Sequence, residues 1–210
     1  MLLVFILYIV PCCLLIPLVT GFIKYKFFDT TVKIAFWYLV YMAITSAINI
    51  FLCARHINDS LLFNITTPIE FAFVSFFYRD VFRIWNRTIL WIVCIFTLFC
   101  LIDFFVIQAG NNIINSYSSA IENFIIAGYA ITYFNQQSVI EHDDRWSNNS
   151  INWVNIAFLI FCSSGICMFV FVNYLSKASF QVNLIVWSVS DTILVIQYIL
   201  FAVGFYKCKA

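Results

Sequence analysis

The chain has 210 residues, of which 64% are hydrophobic and 10% are charged, and its formal net charge is +1. Soluble domains are about half apolar and about a quarter charged, so a water-soluble globule of this length could not hide so much apolar surface. The composition therefore predicts an integral membrane protein embedded in the lipid bilayer, and the small net charge gives no indication of nucleic-acid binding.

Seven stretches of the chain are long and apolar enough to be transmembrane helices, which need about 20 mostly apolar residues. The third and fifth are polar enough that a hydropathy window could miss either of them. The connections are short, so we expect an all-α bundle of seven transmembrane helices in a single domain over residues 1–210, with no soluble domain. The predicted helices span residues 2–22, 34–53, 61–79, 88–108, 115–137, 151–175 and 182–206.

The basic residues outside the helices are divided unequally if the chain crosses the bilayer seven times. The side opposite the N-terminus receives nine of them: Lys24, Lys26, Lys33, Arg79, Arg83, Arg87, Arg145, Lys207 and Lys209. The other side receives Arg55 and Lys177. Because cytoplasmic loops carry the excess of Lys and Arg, the N-terminus is predicted to be outside and the C-terminus cytoplasmic.

Four carboxylic acids lie inside the predicted helices. An ionised acid there costs about 2.5–3.5 kcal/mol on insertion scales, and such residues usually face the bundle interior and mark function. Glu70, Glu122 and Asp191 lie on the third, fifth and seventh helices, each about 12–15 Å from the outer end and so near the bilayer midplane. Asp103 lies closer to the outer face and is an accessory candidate. The sequence predicts that the first three acids meet in a central cavity.

Polar side chains accompany each acid at helical spacing, and offsets of three, four and seven residues place them on one face of their helix. They are Thr66 and Thr67 beside Glu70, Ser118, Ser119 and Tyr129 beside Glu122, and Ser188 and Tyr198 beside Asp191. Pro68 lacks an N–H and frees the carbonyl of Asn64. Because a broken backbone in a membrane helix tends to line a cavity, Pro68 and Asn64 are further accessory candidates.

Two interpretations of the acids remain open. Protonated acids can bond to a neighbouring helix and serve only to hold the helices together. Alternatively, they line a midplane cavity that binds a proton, a cation, or a small ligand with a cationic or donor-rich group. Three acids at one depth favour the cavity.

Sequence motifs for cofactors, metals and known catalytic centres are absent. The eight cysteines form no C-x-x-C pair, and no G-x-S-x-G, H-E-x-x-H, G-x-G-x-x-G or P-loop pattern occurs. We therefore expect no cofactor and no metal. His142, in the segment Glu141–Arg145, is predicted to lie in a solvated loop.

The stretch Asn64-Ile-Thr-Thr-Pro-Ile-Glu70-Phe, followed by Tyr78, resembles the signature helix of an uncharacterised bacterial family of small seven-span membrane proteins. The stretch from Tyr198 to Gly204 resembles that family's last helix, and the region of Trp153 resembles its sixth. The family pattern has His at the position of Asn64 and Tyr at that of Thr66, so the site is altered here if those positions are functional. The resemblance implies a bacterial inner membrane and a likeness to the detached seven-span sensor regions of membrane histidine kinases.

Three functions are compatible with an acidic midplane cavity. We favour a sensor or ligand-binding module that signals through a separate kinase or regulator, because no cytoplasmic effector domain is predicted and the basic loops offer a surface for one. The first alternative is a small proton- or cation-coupled transporter. The second is an intramembrane lipid hydrolase in which paired carboxylates act as general acid and base, although an enzyme is less favoured than a non-enzyme.

Overall fold

The computed structural model describes residues 9–55, 57, 59–107, 116–140, 146–175 and 179–208. These residues form helices and connections without any strand, which confirms the predicted all-α fold class. The first predicted helix begins before the described residues. His142, Arg145, Lys177 and Lys209 also lie outside them.

Seven α-helices of at least fifteen residues follow one another in the described part of the chain. They are α1 (Val10–Lys24), α2 (Thr30–Ala54), α3 (Ser60–Phe82), α4 (Asn86–Ile102), α5 (Ser116–Ile140), α6 (Ser150–Leu175) and α7 (Phe180–Tyr206). Short 3-10 turns at Tyr25–Phe27 and Trp146–Asn148 precede α2 and α6, and α4 continues as a π-helical turn over Asp103–Ile107.

Local residue chemistry sets several helix ends. The Asp29 carboxylate accepts a hydrogen bond from the Val32 amide at 2.9 Å and caps the start of α2. Ser179 caps α7 in the same way. At the end of α3, Arg83 has a φ of 38° and a ψ of -45°, a backbone conformation that residues other than glycine rarely adopt.

Six of the seven helices are long and apolar enough to cross a membrane. The helix that fails this criterion is α5, which is long enough but carries Ser116, Ser118, Ser119, Glu122 and Asn123 in its first two turns. All five of these side chains are buried. The polar residues of α5 therefore face neighbouring helices. Its hydropathy is low because these buried polar side chains lie inside the bundle.

Consecutive helices run antiparallel. Thr31 of α2 donates to Asp80 of α3, and Tyr41 further along α2 contacts Phe73 earlier in α3. Six helices form a closed ring in the order α1, α2, α3, α5, α6, α7, with α2 also touching α6 across it. Helix α4 packs outside the ring, mainly against α3.

The two ends of the bundle differ in charge. Seven Lys and Arg residues among those described lie where the odd-numbered helices finish: Lys24, Lys26, Lys33, Arg79, Arg83, Arg87 and Lys207. We call this the basic end. The opposite end, here the distal end, has Arg55 in the described part of the chain.

Buried aromatic rings fill the ring of helices toward the basic end. Phe36, Phe77, Phe158, Phe201 and Phe205 are each no more than 1% exposed and contact one another in edge-on and tilted pairs. Such pairs stabilise a core beyond the apolar area they bury. We call this region the packed half.

Buried hydrogen bonds also fix α3, α5 and α6 to one another in the packed half. The Tyr78 hydroxyl donates to the Asn155 side-chain oxygen at 2.7 Å, and the Asn155 amide donates to the Ala130 carbonyl of α5 at 3.2 Å. Tyr133 of α5 donates to Asn152 of α6. Polar groups that satisfy one another in an apolar surrounding hold helices in one arrangement.

Candidate functional site

A cavity of about 520 Å³ lies between the packed half and the distal end. All six helices of the ring contribute to its walls, whereas its described lining includes no residue of α4. Tyr38, Phe158 and Tyr198 line its inner part and are buried, and the lining continues to Asp59 and Asn183 near the distal end. We call it the acidic cavity.

The structure places Glu70, Glu122 and Asp191 in the lining of this one cavity. Helices α3 and α5 point in the same direction, and Tyr78 of α3 contacts Tyr129 of α5. The two contacting residues are 51 positions apart in the sequence, and Glu70 and Glu122 are 52 positions apart. These two acids therefore lie at about the same level of the bundle, on the wall of one cavity. All three predicted acids thus share one site.

The three carboxyl groups remain available to a ligand. Within the described part of the chain, no recorded hydrogen bond reaches any of them. Glu122 is 7% exposed and belongs to the cavity lining, and Glu70 and Asp191 are half-buried. Carboxyl groups placed away from bulk water are stable only when their charge or their hydrogen-bonding atoms are compensated.

Four of the predicted polar neighbours also line the cavity, namely Thr66, Thr67, Ser119 and Tyr198. The hydroxyls of Thr66 and Thr67 donate to the carbonyl of Phe63 at 3.0 and 2.9 Å. Their protons are already used within α3, so toward the cavity these two residues offer oxygen acceptors.

Asparagine side chains add to the acceptor character of the lining. The Asn123 amide nitrogen donates to the Ser119 carbonyl at 2.7 Å, which leaves the side-chain oxygen and the second N–H of Asn123 for other partners. The side-chain oxygen of Asn49 is buried without a hydrogen-bond partner. With four carboxyl groups, those of Asp59, Glu70, Glu122 and Asp191, and the two threonines, the wall offers many oxygen acceptors to a donor-rich ligand.

Other predicted site residues lie away from the cavity. Ser118 and Asp103 contact each other between α4 and α5, where the Asp103 carboxylate accepts from both the amide and the hydroxyl of Ser118. Asp103 is fully buried and caps the start of α5, which is a structural role. Ser188 donates to the Leu184 carbonyl of its own helix.

Tyr129, Asn64 and Pro68 are also outside the lining of the acidic cavity. Tyr129 packs against Tyr78 and Phe82 in the packed half. Asn64 and Pro68 line a separate groove between α3 and α4. Because α3 is a continuous helix through Pro68, the proline opens no gap in the helix toward the acids.

Helix α2 contributes a polar stripe that the sequence interpretation missed. Tyr38, Met42, Ser46, Asn49 and Cys53 recur every three or four residues and all line the cavity. This periodicity is visible in the sequence, but α2 contains no acid to draw attention to it. On α7, Trp187 also faces the cavity, one turn before Asp191.

Chemically, the cavity combines carboxyl groups with aromatic walls and contains no Lys or Arg in its described lining. Among the residues that the structure describes, no three His, Cys, Asp or Glu side chains lie close enough together to hold a metal ion. The acids therefore lie at separate places on the wall of the cavity. Its size lies within the range of about 300–1,000 Å³ that is typical of sites for organic molecules.

Comparisons with protein-family models, with curated proteins and with solved structures give no match to this chain.

Proposed function

We propose that the protein is a membrane sensor or ligand-binding module that captures an organic cation, of the ammonium type, in its acidic cavity and signals through a separate partner protein. One observation carries this proposal: carboxyl groups from α3, α5 and α7 line a single cavity that reaches the distal end. Carboxylates together with aromatic faces are the groups that recognise amines and quaternary ammonium groups.

The acceptor-rich lining supports a cation in preference to an anion or a neutral molecule. An ammonium group supplies hydrogen-bond donors to oxygens such as those of Glu122 and Asn123, and its charge offsets that of the acids. The aromatic side chains of Tyr38, Phe158 and Trp187 supply apolar contact and ring faces for the rest of the molecule. A bare ion would leave most of the volume unfilled.

The membrane arrangement is part of the proposal. We infer seven spans, because α5 belongs to the same ring as the helices that meet the hydropathy criterion. The basic end would face the cytoplasm of a bacterial inner membrane, in accordance with the positive-inside rule. The ligand would then enter from outside, and the kinase or regulator would contact the basic loops.

The packed half supports a sensor in preference to a transporter. Toward the basic end the ring is filled by fully buried rings such as Phe77, Phe201 and Phe205. A transporter would have to separate these rings to release its cargo, whereas a sensor needs only a small shift of helices around the ligand. The transporter and the lipid hydrolase therefore remain the alternative outcomes of the tests.

Tryptophan fluorescence tests the ligand class directly, because Trp187 lines the cavity. We expect 2-phenylethylammonium to change the fluorescence of the detergent-solubilised protein in a saturable way, and Trp187→Phe to abolish the change. The neutral isostere 2-phenylethanol, sodium chloride and calcium chloride should each bind at least tenfold more weakly. Equal binding of the neutral isostere would refute the cation proposal.

Matched substitutions locate the binding. Asp191→Asn and Glu122→Gln should each weaken 2-phenylethylammonium binding at least tenfold, because each removes a charge that faces the ligand. Asp80→Asn is the control, since Asp80 lies at the basic end and accepts from Thr31. Equal losses in all three variants would place the effect outside the cavity.

Reconstitution into sealed vesicles separates the three functions. A sensor should bind 2-phenylethylammonium without moving it across the membrane and without altering the lipids. Accumulation of the cation inside vesicles that contain no other protein would establish the transporter instead. Loss of intact phospholipid that depends on Glu70 and Glu122 would establish the hydrolase.

A further inference from the structure

A basic pocket at the end of α3 and an apolar groove along α3 and α4 lie next to each other outside the helix ring. The basic pocket, of about 670 Å³, is lined by Trp37, Arg79, Arg83 and Asn86, among others. The groove, of about 600 Å³, is lined almost entirely by apolar side chains. Phe73 and Phe76 line both, so the two spaces are adjacent and share a wall of two aromatic side chains.

We propose that these two spaces together bind one anionic phospholipid, with its phosphate on Arg79 and Arg83 and one acyl chain along Phe73 and Phe76 into the groove. This site is separate from the acidic cavity, which lies on the other side of α3. Arginine is well suited to the phosphate because its planar guanidinium forms paired, charge-assisted hydrogen bonds.

The contacts of Arg79 and the charge of the pocket lining support an anionic ligand. Arg79 donates through its Nε to the side-chain oxygen of Asn86 and lies 6.0 Å from the centre of the Phe76 ring, which orients the guanidinium and leaves its two terminal nitrogens for a phosphate. The only acid in the described lining is Asp80, and it is engaged with the Thr31 hydroxyl. With two guanidinium groups and one carboxylate, the described lining keeps a net positive charge.

Arg83 gives an independent indication. Its backbone φ of 38° is one that glycine adopts with less strain, yet the position carries a long cationic side chain. Arg83 is exposed at the edge of the pocket. A strained backbone with a charged side chain is expected where that side chain has a binding role.

The dimensions fit one leaflet of a bilayer. Arg79 is ten residues beyond Ile69, and at 1.5 Å per residue this distance is about 15 Å, half of a hydrocarbon core of about 30 Å. Trp37 belongs to the pocket and is exposed, as expected of an indole at the membrane interface. A phosphate at Arg79 would therefore place its acyl chain against Phe73 and Ile69 down to the midplane.

Lipid-dependent thermal stability tests the site. Adding phosphatidylglycerol to the detergent-solubilised protein should raise its Tm by several degrees more than phosphatidylcholine does, and Arg79→Gln should remove at least half of that difference. Arg87→Gln is the matched control, because Arg87 is exposed at the same end and does not line the pocket. An equal loss in Arg87→Gln would mean general charge attraction and would overturn the proposal.

Two further measurements distinguish a loss of lipid binding from a loss of stability and from binding of phosphate alone. Arg83→Gln should lower the phosphatidylglycerol effect without lowering the Tm in lipid-free detergent, because it removes the charge of an exposed side chain and keeps its polar character. sn-Glycerol 3-phosphate, which has the headgroup chemistry without acyl chains, should leave the Tm unchanged. If it raises the Tm as much as phosphatidylglycerol, the pocket is a site for soluble phosphate compounds and the groove has no part in it.

Discussion

Toward the basic end the six ring helices enclose interlocking aromatic side chains, whereas toward the distal end the same six helices surround a cavity with acidic and hydroxyl-bearing walls. The polar groups of the packed half, such as Tyr78 and Asn155, bond to one another. The carboxyl groups of the cavity, such as that of Glu122, have no protein partner in the described part of the chain. The polar groups of the packed half therefore hold the helices to one another, whereas the carboxyl groups of the cavity form no such hydrogen bond among the described residues.

Truncating a ring in the packed half should have the largest effect on stability. Phe205 is fully buried and contacts Phe28, Phe36 and Phe201, so Phe205→Ala should lower the unfolding free energy by about 3–5 kcal/mol. Phe169→Ala, in the cavity wall, should cost far less because Phe169 is only partly buried. Thermal unfolding in detergent measures both. Equal losses would show that the halves are packed alike.

Removing one buried hydroxyl of the packed half should cause the second-largest loss of unfolding free energy. Tyr78→Phe leaves the Asn155 oxygen without its donor and should cost about 1–3 kcal/mol of stability. The matched change in the cavity, Tyr198→Phe, should cost less than about 1 kcal/mol, because no recorded hydrogen bond involves its hydroxyl within the described residues. The same unfolding measurement compares them, and the reverse order would contradict the division into two halves.

Adding a methyl group at the cavity wall should have a moderate effect. A Cβ at Gly165 would lie 2.6 Å from the Asn123 side-chain oxygen, so Gly165→Ala should push that side chain aside, lower stability by about 1–3 kcal/mol and weaken ligand binding. Gly128→Ala meets no heavy atom within 4 Å and should raise stability by about 0.5–1 kcal/mol. Unchanged binding in Gly165→Ala would exclude Asn123 from the ligand site.

Neutralising a cavity acid should change stability least. Glu122→Gln replaces a buried group that has no protein hydrogen bond, so the unfolding free energy should stay within about 1 kcal/mol of the wild type or increase. Ligand binding should nevertheless be lost. A large loss of stability would instead indicate that the acid holds the helices together, the packing interpretation of the sequence.

Adjacent residues of one helix differ in role in this protein, because each step along a helix turns the side chain by about 100°. Ser118 and Ser119 are adjacent in sequence and both precede Glu122 by about one turn, yet Ser119 lines the cavity and Ser118 bonds to Asp103. The sequence predicted both as site residues. Helical periodicity shows which residues share a face of the helix. It does not show which of two adjacent residues points to the cavity, because that depends on how the neighbouring helices pack.

The sequence by itself determined the all-helical fold and indicated the six helices that are long and apolar enough to cross a membrane, because hydropathy and length follow directly from residue type. It also indicated the three acids of the cavity, since a carboxyl group within an apolar helix has few favourable environments. The periodicity within each helix placed Thr66 and Thr67 beside Glu70, and Tyr198 beside Asp191.

The tertiary structure alone decided how each helix is rotated about its axis and which helices form the ring. Asp103 and Glu122 are both acids in predicted spans, but α4 packs outside the ring, so Asp103 meets the start of α5 and never reaches the cavity. Pro68 likewise faces the groove beside α4. These orientations depend on contacts between residues far apart in the chain, such as Tyr78 with Asn155, which no local pattern of one helix contains.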